Sequence, residues 1–329
     1  MARGRPGERG MAGTAAAGRA LVAALREVVG SAVEADVPLA RHTTMKVGGP
    51  ATALVRVEAP ADLAGIALVC DELRAPWLIL GRGSNLLVAD GGWPGVVVAL
   101  GRGFRGVHVD GCAVEAGAAE PMPVLATNVA GAGLAGFAFG VAIPGALGGA
   151  VRMNAGAHGR ELRDVLEWAE VARLAAGGRR ERWSVAQLEM SYRHTALPDD
   201  AVVVRARLRL ERADAAVIAE QMADMRQWRR DHQPINEPSC GSVFRNPEGD
   251  SAGRLVDAAG LKGHRVGGAR ISEKHANFIT VEHGARAADV HLLIRHAQDR
   301  VRAVHGVDLA TEVVLAGFAD VPAGFEGGP

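Results

Sequence analysis

Hydrophobic positions along the chain fall into two alternating rhythms. From Gly18 to Val33 they recur at helical spacing, through Leu21, Val22, Leu25, Val28 and Val29, and predict a helix. Leu39 to Gly49 is polar and then tight. Ala51–Val57 alternates apolar and polar residues as a strand does, and Ala59-Pro60-Ala61-Asp62 opens a helix running to about Leu73. Short apolar runs at Pro76–Leu80, Leu86–Val88 and Gly95–Leu100 predict strands. Val107–Val109 and Ala113–Gly117 form a hairpin-like pair around Asp110-Gly111, and Pro121–Ala130 is helical. Phe139–Gly159 is the most glycine-dense stretch. Ala201–Leu210 alternates again, and a long helix follows over Ala213–Asp231. Beyond it come a helix at Ala252–Ala259, a loop at Lys262–Ile271, a strand at Ala276–Val281, an amphipathic helix at Ala287–His305 and a last strand at Leu309–Leu315. The class is α+β. The domain boundary is expected near 212, separating a first block (19–212) from a second (213–320). Arg-, Gly- and Ala-rich residues 1–18 read as a disordered tail in which Met11 is an alternative start, and 321–329 as a short second tail.

Composition narrows the picture. Over 329 residues, 48% hydrophobic content supplies a sizeable core. Lys+Arg and Asp+Glu are 37 each, and a nucleic-acid binder would carry a basic excess, so none is expected as a partner. Cys70, Cys112 and Cys240 are too far apart for a disulfide framework or paired metal ligands, which fits a reducing compartment. No apolar run reaches transmembrane length, and the N-terminus lacks the apolar core of a secretory peptide.

Three stretches concentrate chemistry. In Pro238-Ser239-Cys240-Gly241-Ser242-Val243-Phe244-Arg245-Asn246-Pro247 the prolines deny a helix, and Gly241 lets backbone approach whatever Ser242 faces. A tight turn into a strand would look the same. Gly81-Arg82-Gly83-Ser84-Asn85 lies between apolar strands, where converging N–H groups bind anions. It is neither a Walker loop nor a dinucleotide fingerprint, and a plain hairpin turn fits it equally. Ile143-Pro144-Gly145-Ala146-Leu147-Gly148-Gly149, continuing through Asn154-Ala155-Gly156 to Gly159, holds too many glycines for a stable helix at roughly 1 kcal/mol each. It is nevertheless apolar, so its buried amides need partners, and a planar ligand with a phosphate arm would supply them.

Of the single residues, Glu312 is a carboxylate inside an apolar strand, which must pair or face a cleft. Arg193, Lys262 and Lys274, each taken alone, read more readily as solvated charges than as site residues. His291 and His296 miss the i, i+4 zinc spacing, no His-Glu-x-x-His occurs, and Gly241-Ser242 lacks the hydrolase elbow, so no metal is expected.

Taken in order, Thr43-Thr44 with Val47-Gly48-Gly49, Gly81–Asn85, Ile143-Pro144-Gly145 with Gly148-Gly149-Ala150 and Met153-Asn154-Ala155-Gly156, Ser191-Tyr192-Arg193, Cys240–Pro247, Ala259–Gly263, Ser272–Phe278 and Glu312-Val313 resemble the UDP-N-acetylenolpyruvoylglucosamine reductases (MurB), from about His42 to Gly317. The resemblance implies a two-subdomain FAD-binding domain of the vanillyl-alcohol-oxidase (PCMH) type and a C-terminal α+β substrate domain. It implies non-covalent FAD held by Thr44, Gly81, Arg82, Gly83, Ser84, Asn85, Ile143, Pro144, Gly145, Gly148, Gly149, Asn154, Ala155 and Gly156. NADPH would pass hydride to FAD, and reduced FAD would pass it to the enolpyruvyl β-carbon. Ser242 matches the family's proton donor to the α-carbon, while Arg193 and Glu312 match the residues that stabilise the intermediate. Tyr192, Arg245, Asn246 and Lys262 would contact the UDP-sugar. The implied setting is a cytoplasmic monomer in peptidoglycan precursor synthesis. Departures are His42, Gly136 and Ala142. Tyr192 is the only tyrosine, so the likeness is to the shorter class, without a tyrosine-bearing covering loop. The competing readings are a flavin oxidase of a sugar or alcohol and a non-catalytic nucleotide-sugar binder. Both predict a broken Ser242–Glu312 set.

Overall fold

A computed structural model describes residues 6–318. Its first helix spans Pro6–Val29, so the disordered tail expected over 1–18 is corrected from Pro6 onward. Alanine and arginine favour helix strongly enough to carry it through the glycines. Residues 1–5 and the tail expected at 321–329 lie outside the described residues. Leu21, Val22 and Leu25 are buried, and their face packs on helix Pro60–Glu72 and strand Pro50–Val57.

That strand belongs to a four-stranded sheet in the order Val33–Pro38, Pro50–Val57, Trp93–Leu100, Trp77–Leu80. The last three strands run parallel to one another, and Val33–Pro38 is antiparallel to its neighbour. This edge strand left no sequence signal, because only Val33 and Val37 are buried and period-two alternation is lost. The crossover helix Pro60–Glu72 starts where expected, with Asp62 Oδ2 accepting from the Ala59 amide at 3.1 Å.

A five-stranded antiparallel sheet faces it, in the order Arg179–Ser184, Leu166–Arg173, Ala201–Arg209, Ala113–Gly117, Val107–Asp110. One side buries Val203, Ala206 and Leu208 against helix Met122–Gly131. On the other, Arg207 bridges Glu115 at 2.9 Å and Glu167 at 3.2 Å.

Helix Ala215–His232, capped by Asp214, buries Ile218 and Met222 in this same core. By packing, the first region therefore extends past the boundary expected near 212. The final region is an antiparallel sheet, Ser239–Ser242, Phe278–Val281, Ala269–Ile271, Arg265–Val266, backed by helix Ala287–His305. Two of its strands lie inside the expected loop Lys262–Ile271, too short to show periodicity. The last strand is Val314–Ala316 and runs parallel to Leu86–Val88 of the first region. The regions are stitched further by Asp90, whose carboxylate accepts from the amides of Ala287 at 2.8 Å and Ala288 at 3.0 Å. Removing an anion from a helix start typically costs about 1 kcal/mol. Asp90→Ala is expected to lower the urea midpoint accordingly, with an unchanged slope.

Candidate active site

A cavity of about 1520 Å³ opens where the two sheets of the first region meet the final region. Gly81, Arg82, Gly83, Ser84 and Asn85 line it from the first sheet. The turn needs a glycine at 83: φ is +61°, and a Cβ there would lie 2.2 Å from the His42 carbonyl oxygen. Arg82 Nε donates to the Pro144 carbonyl at 3.1 Å and so joins the two glycine-rich loops. Asn85 Nδ2 donates to the Glu312 carbonyl at 3.0 Å. Thr44, expected to touch cofactor, is half-buried and tied to the loop. Its amide donates to Gly83 O at 3.0 Å and its hydroxyl to Ser239 O at 2.6 Å. The neighbouring His42 lines the cavity.

From the second loop, Ile143, Pro144, Gly145, Gly148, Gly149, Ala155 and Gly156 line the cavity. Contrary to expectation, Leu147–Arg152 is a short helix. Tertiary packing overrides the glycine penalty, since a Cβ on Gly148 would come within 2.9 Å of the Ala118 methyl. Asn154 does not reach the cavity. It is fully buried, its Nδ2 donates to Glu161 at 2.9 Å and to Ser191 O at 2.8 Å, and its Oδ1 accepts from the Arg163 amide at 3.0 Å. It is a clamp on the turn that carries Arg193.

That turn, Ser191–His194, is closed by two backbone hydrogen bonds of 3.1 Å and holds Arg193 at φ +55°. Arg193 Nε meets Glu312 Oε1 at 2.8 Å, with both side chains 16% exposed. Arg193 Nη2 donates to Gly156 O at 3.3 Å. Burial pushes the Glu312 carboxyl above the ordinary range, while Arg193 and then Arg245 pull it back. Ser242 lines the same cavity as Arg193 and Glu312. Cys240 is buried in the neighbouring core, and burial pushes its thiol up to about 12, which suits packing and not nucleophilic attack.

Tyr192, Arg245 and Asn246 come together around a second cavity of about 370 Å³. The Asn246 amide donates to Tyr192 Oη at 3.3 Å. Lys262 does not join them. It lines neither cavity and holds Asp257 at 2.7 Å on the surface.

Sequence reasoning missed Arg229 and Gln233, which line the large cavity, Arg229 Nε donating to Gln233 Oε1 at 2.9 Å. A cation in a helix's last turn complements the helix dipole, and that reading hid this one.

The residues fit FAD. The volume exceeds the roughly 300–1,000 Å³ of sites for drug-sized ligands. Two glycine-rich loops turn backbone toward it, and a Cβ on Gly149 or Gly241 would meet no protein atom within 4 Å.

Comparison with known proteins agrees. The C-terminal domain of UDP-N-acetylenolpyruvoylglucosamine reductase matches residues 233–316, and an FAD binding domain matches 51–181. A relative from Acidiphilium cryptum bearing that reductase name is 46% identical over 298 residues, 90% of this chain and 94% of its own. The chain belongs to the UDP-N-acetylenolpyruvoylglucosamine reductase family. The Bacillus subtilis reductase is 42% identical over 87% of this chain and 94% of its own. The crystal structure of the Thermus caldophilus reductase superposes with a TM-score of 0.75 at 39% identity, covering 86% of this chain and 98% of that one. The expected architecture, an FAD-binding domain of two α+β subdomains followed by the reductase C-terminal domain, therefore holds. Of the three residues expected to depart from the reductase pattern, His42 and Ala142 line the cavity. Gly136 packs elsewhere, against Leu210 and Val165. No helix among the described residues is long and apolar enough to cross a membrane.

Proposed function

We propose that this chain reduces UDP-N-acetylenolpyruvoylglucosamine to UDP-N-acetylmuramate with NADPH as donor, acting in the cytoplasm as a monomer. The observation that carries the proposal is the convergence of Ser242 with the Arg193–Glu312 pair on the cavity lined by both glycine-rich loops. FAD, held without a covalent bond by the Gly81–Asn85 loop and by Ile143–Gly149 with Ala155 and Gly156, supplies hydride carriage between the two substrates.

Addition of hydride to the enolpyruvyl β-carbon leaves negative charge on the α-carbon and its carboxylate. Arg193 stabilises that charge with preorganised donors. Glu312 fixes the guanidinium through Nε. The raised carboxyl of Glu312 is protonated more often than an exposed one at the same pH. Ser242 is a weak acid, and an enolate is basic enough to take its hydroxyl proton at the α-carbon; the alkoxide then recovers a proton from water. Tyr192, Arg245 and Asn246 receive the nucleotide-sugar end, with Arg229 and Gln233 on the wall of the larger cavity.

The test is a visible spectrum of the purified protein under anaerobic conditions. Flavin bands that bleach with NADPH and return on adding the UDP-enolpyruvyl sugar support the proposal. Bands that return only with air indicate an oxidase, and a colourless protein that cannot be reconstituted with FAD removes the reading altogether.

A further inference from the structure

We infer that Asn277 is a positioning residue for the Ser242 proton donor, acting through the backbone of the two residues that follow the serine. The inference rests on the proposed role of Ser242. The strand carrying that serine is poorly held by its own ladder. Ser239 pairs with Thr280 and Ser242 with Phe278, but the register slips between them, and Gly241 has a φ of +78°. Such a bulge re-aims a side chain and leaves its direction to whatever fixes the flanking backbone.

Asn277 does that fixing on both sides of one residue. It is only 4% exposed. Its Oδ1 accepts from the Phe244 amide at 2.9 Å, and its Nδ2 donates to the Phe244 carbonyl at 2.8 Å. Its own carbonyl accepts from the Val243 amide at 2.9 Å. The remaining polar group of the pair, the Val243 carbonyl, accepts from the Glu312 amide at 2.7 Å. All four backbone polar groups after Ser242 are therefore committed, three to Asn277 and one to the catalytic glutamate. Only a short primary amide donates and accepts across one residue in this way. Aspartate keeps the acceptor and loses the donor, and alanine leaves two buried backbone groups without a partner. Asn277 is in turn held by its neighbours, since its amide donates to His275 Nδ1 at 3.2 Å.

The experiment measures each half-reaction of the full-length, FAD-loaded Asn277→Asp enzyme by anaerobic stopped flow. Reduction by NADPH should stay within twofold of the parent. Reoxidation by the UDP-enolpyruvyl sugar should slow at least tenfold at saturation, with a larger solvent deuterium isotope effect as proton delivery becomes limiting. In a Ser242→Ala background, Asn277→Asp should slow reoxidation no further. Equal slowing of both half-reactions, or a full additional loss in the Ser242→Ala background, would overturn the inference and leave Asn277 with a merely structural role. If Asn277→Asp does not fold, Asn277→Ser, whose smaller side chain admits a water, is read by the same criteria. Should Ser242→Ala itself reoxidise at the parental rate, the proposed role of Ser242 fails instead, a different result from either.

Discussion

The Ser242→Ala enzyme is expected to bleach with NADPH at the parental rate and then remain reduced when the UDP-enolpyruvyl sugar is added. Nothing in the first half-reaction needs the hydroxyl. In the second it is the proposed acid, and a positioned proton donor contributes typically 10²–10⁴-fold. Ser242 stands at the end of its strand with Gly241 bare on the cavity side, so removing one oxygen leaves the backbone clamp around Val243 and Phe244 intact. Stopped-flow traces of both half-reactions, with FAD content as a control, measure this. Reoxidation within threefold of the parent would refute the assignment.

Arg193→Met has the second-largest expected effect, for two separable reasons. Transition-state charge loses its fork of donors, a loss of about 3–4 kcal/mol, or 10²–10³-fold in reoxidation. In addition, Glu312 loses the nearer of the two cations that offset its burial, so its carboxyl moves still further above the ordinary range. The acid limb of the pH profile for residual reoxidation should shift to higher pH, because the removed cation had been favouring the ionised form. Arg193→Lys restores charge but not the bidentate geometry and should recover only part of the rate. A rate and pH profile unchanged in Arg193→Met would exclude both roles.

Much of this was legible in the sequence, and the exceptions have physical causes. Helices such as Pro60–Glu72 and Ala287–His305 announce themselves by apolar period and by acidic residues at their starts. Strand Val33–Pro38 does not, because an edge strand with two buried residues has no period to read. The helix at Leu147–Arg152 defeats propensity because Gly148 lets it pack directly against Ala118. Motif letters singled out Thr44 and Asn154 without revealing which way they face. One is tied to Ser239 and the other to Ser191, contacts 195 and 37 residues away. Pairings of that length leave no local trace. Arg229 was hidden for the opposite reason, since its local surroundings already explained it.

The pairing of Val314–Ala316 with Leu86–Val88 has a consequence for how the protein is made. Glu312 reaches the Asn85 amide across 227 residues of sequence. Met45, Val47 and Leu87, translated early, are buried in the core that the last region builds. While the chain emerges from the ribosome, the strand that follows the Gly81–Asn85 loop lacks its parallel neighbour until residues 314–316 have been made. Vectorial synthesis therefore yields no working half-enzyme along the way, and a message cut short before Val314 directs a product with a greasy seam where the last strand belongs, fit for proteolysis and not for turnover.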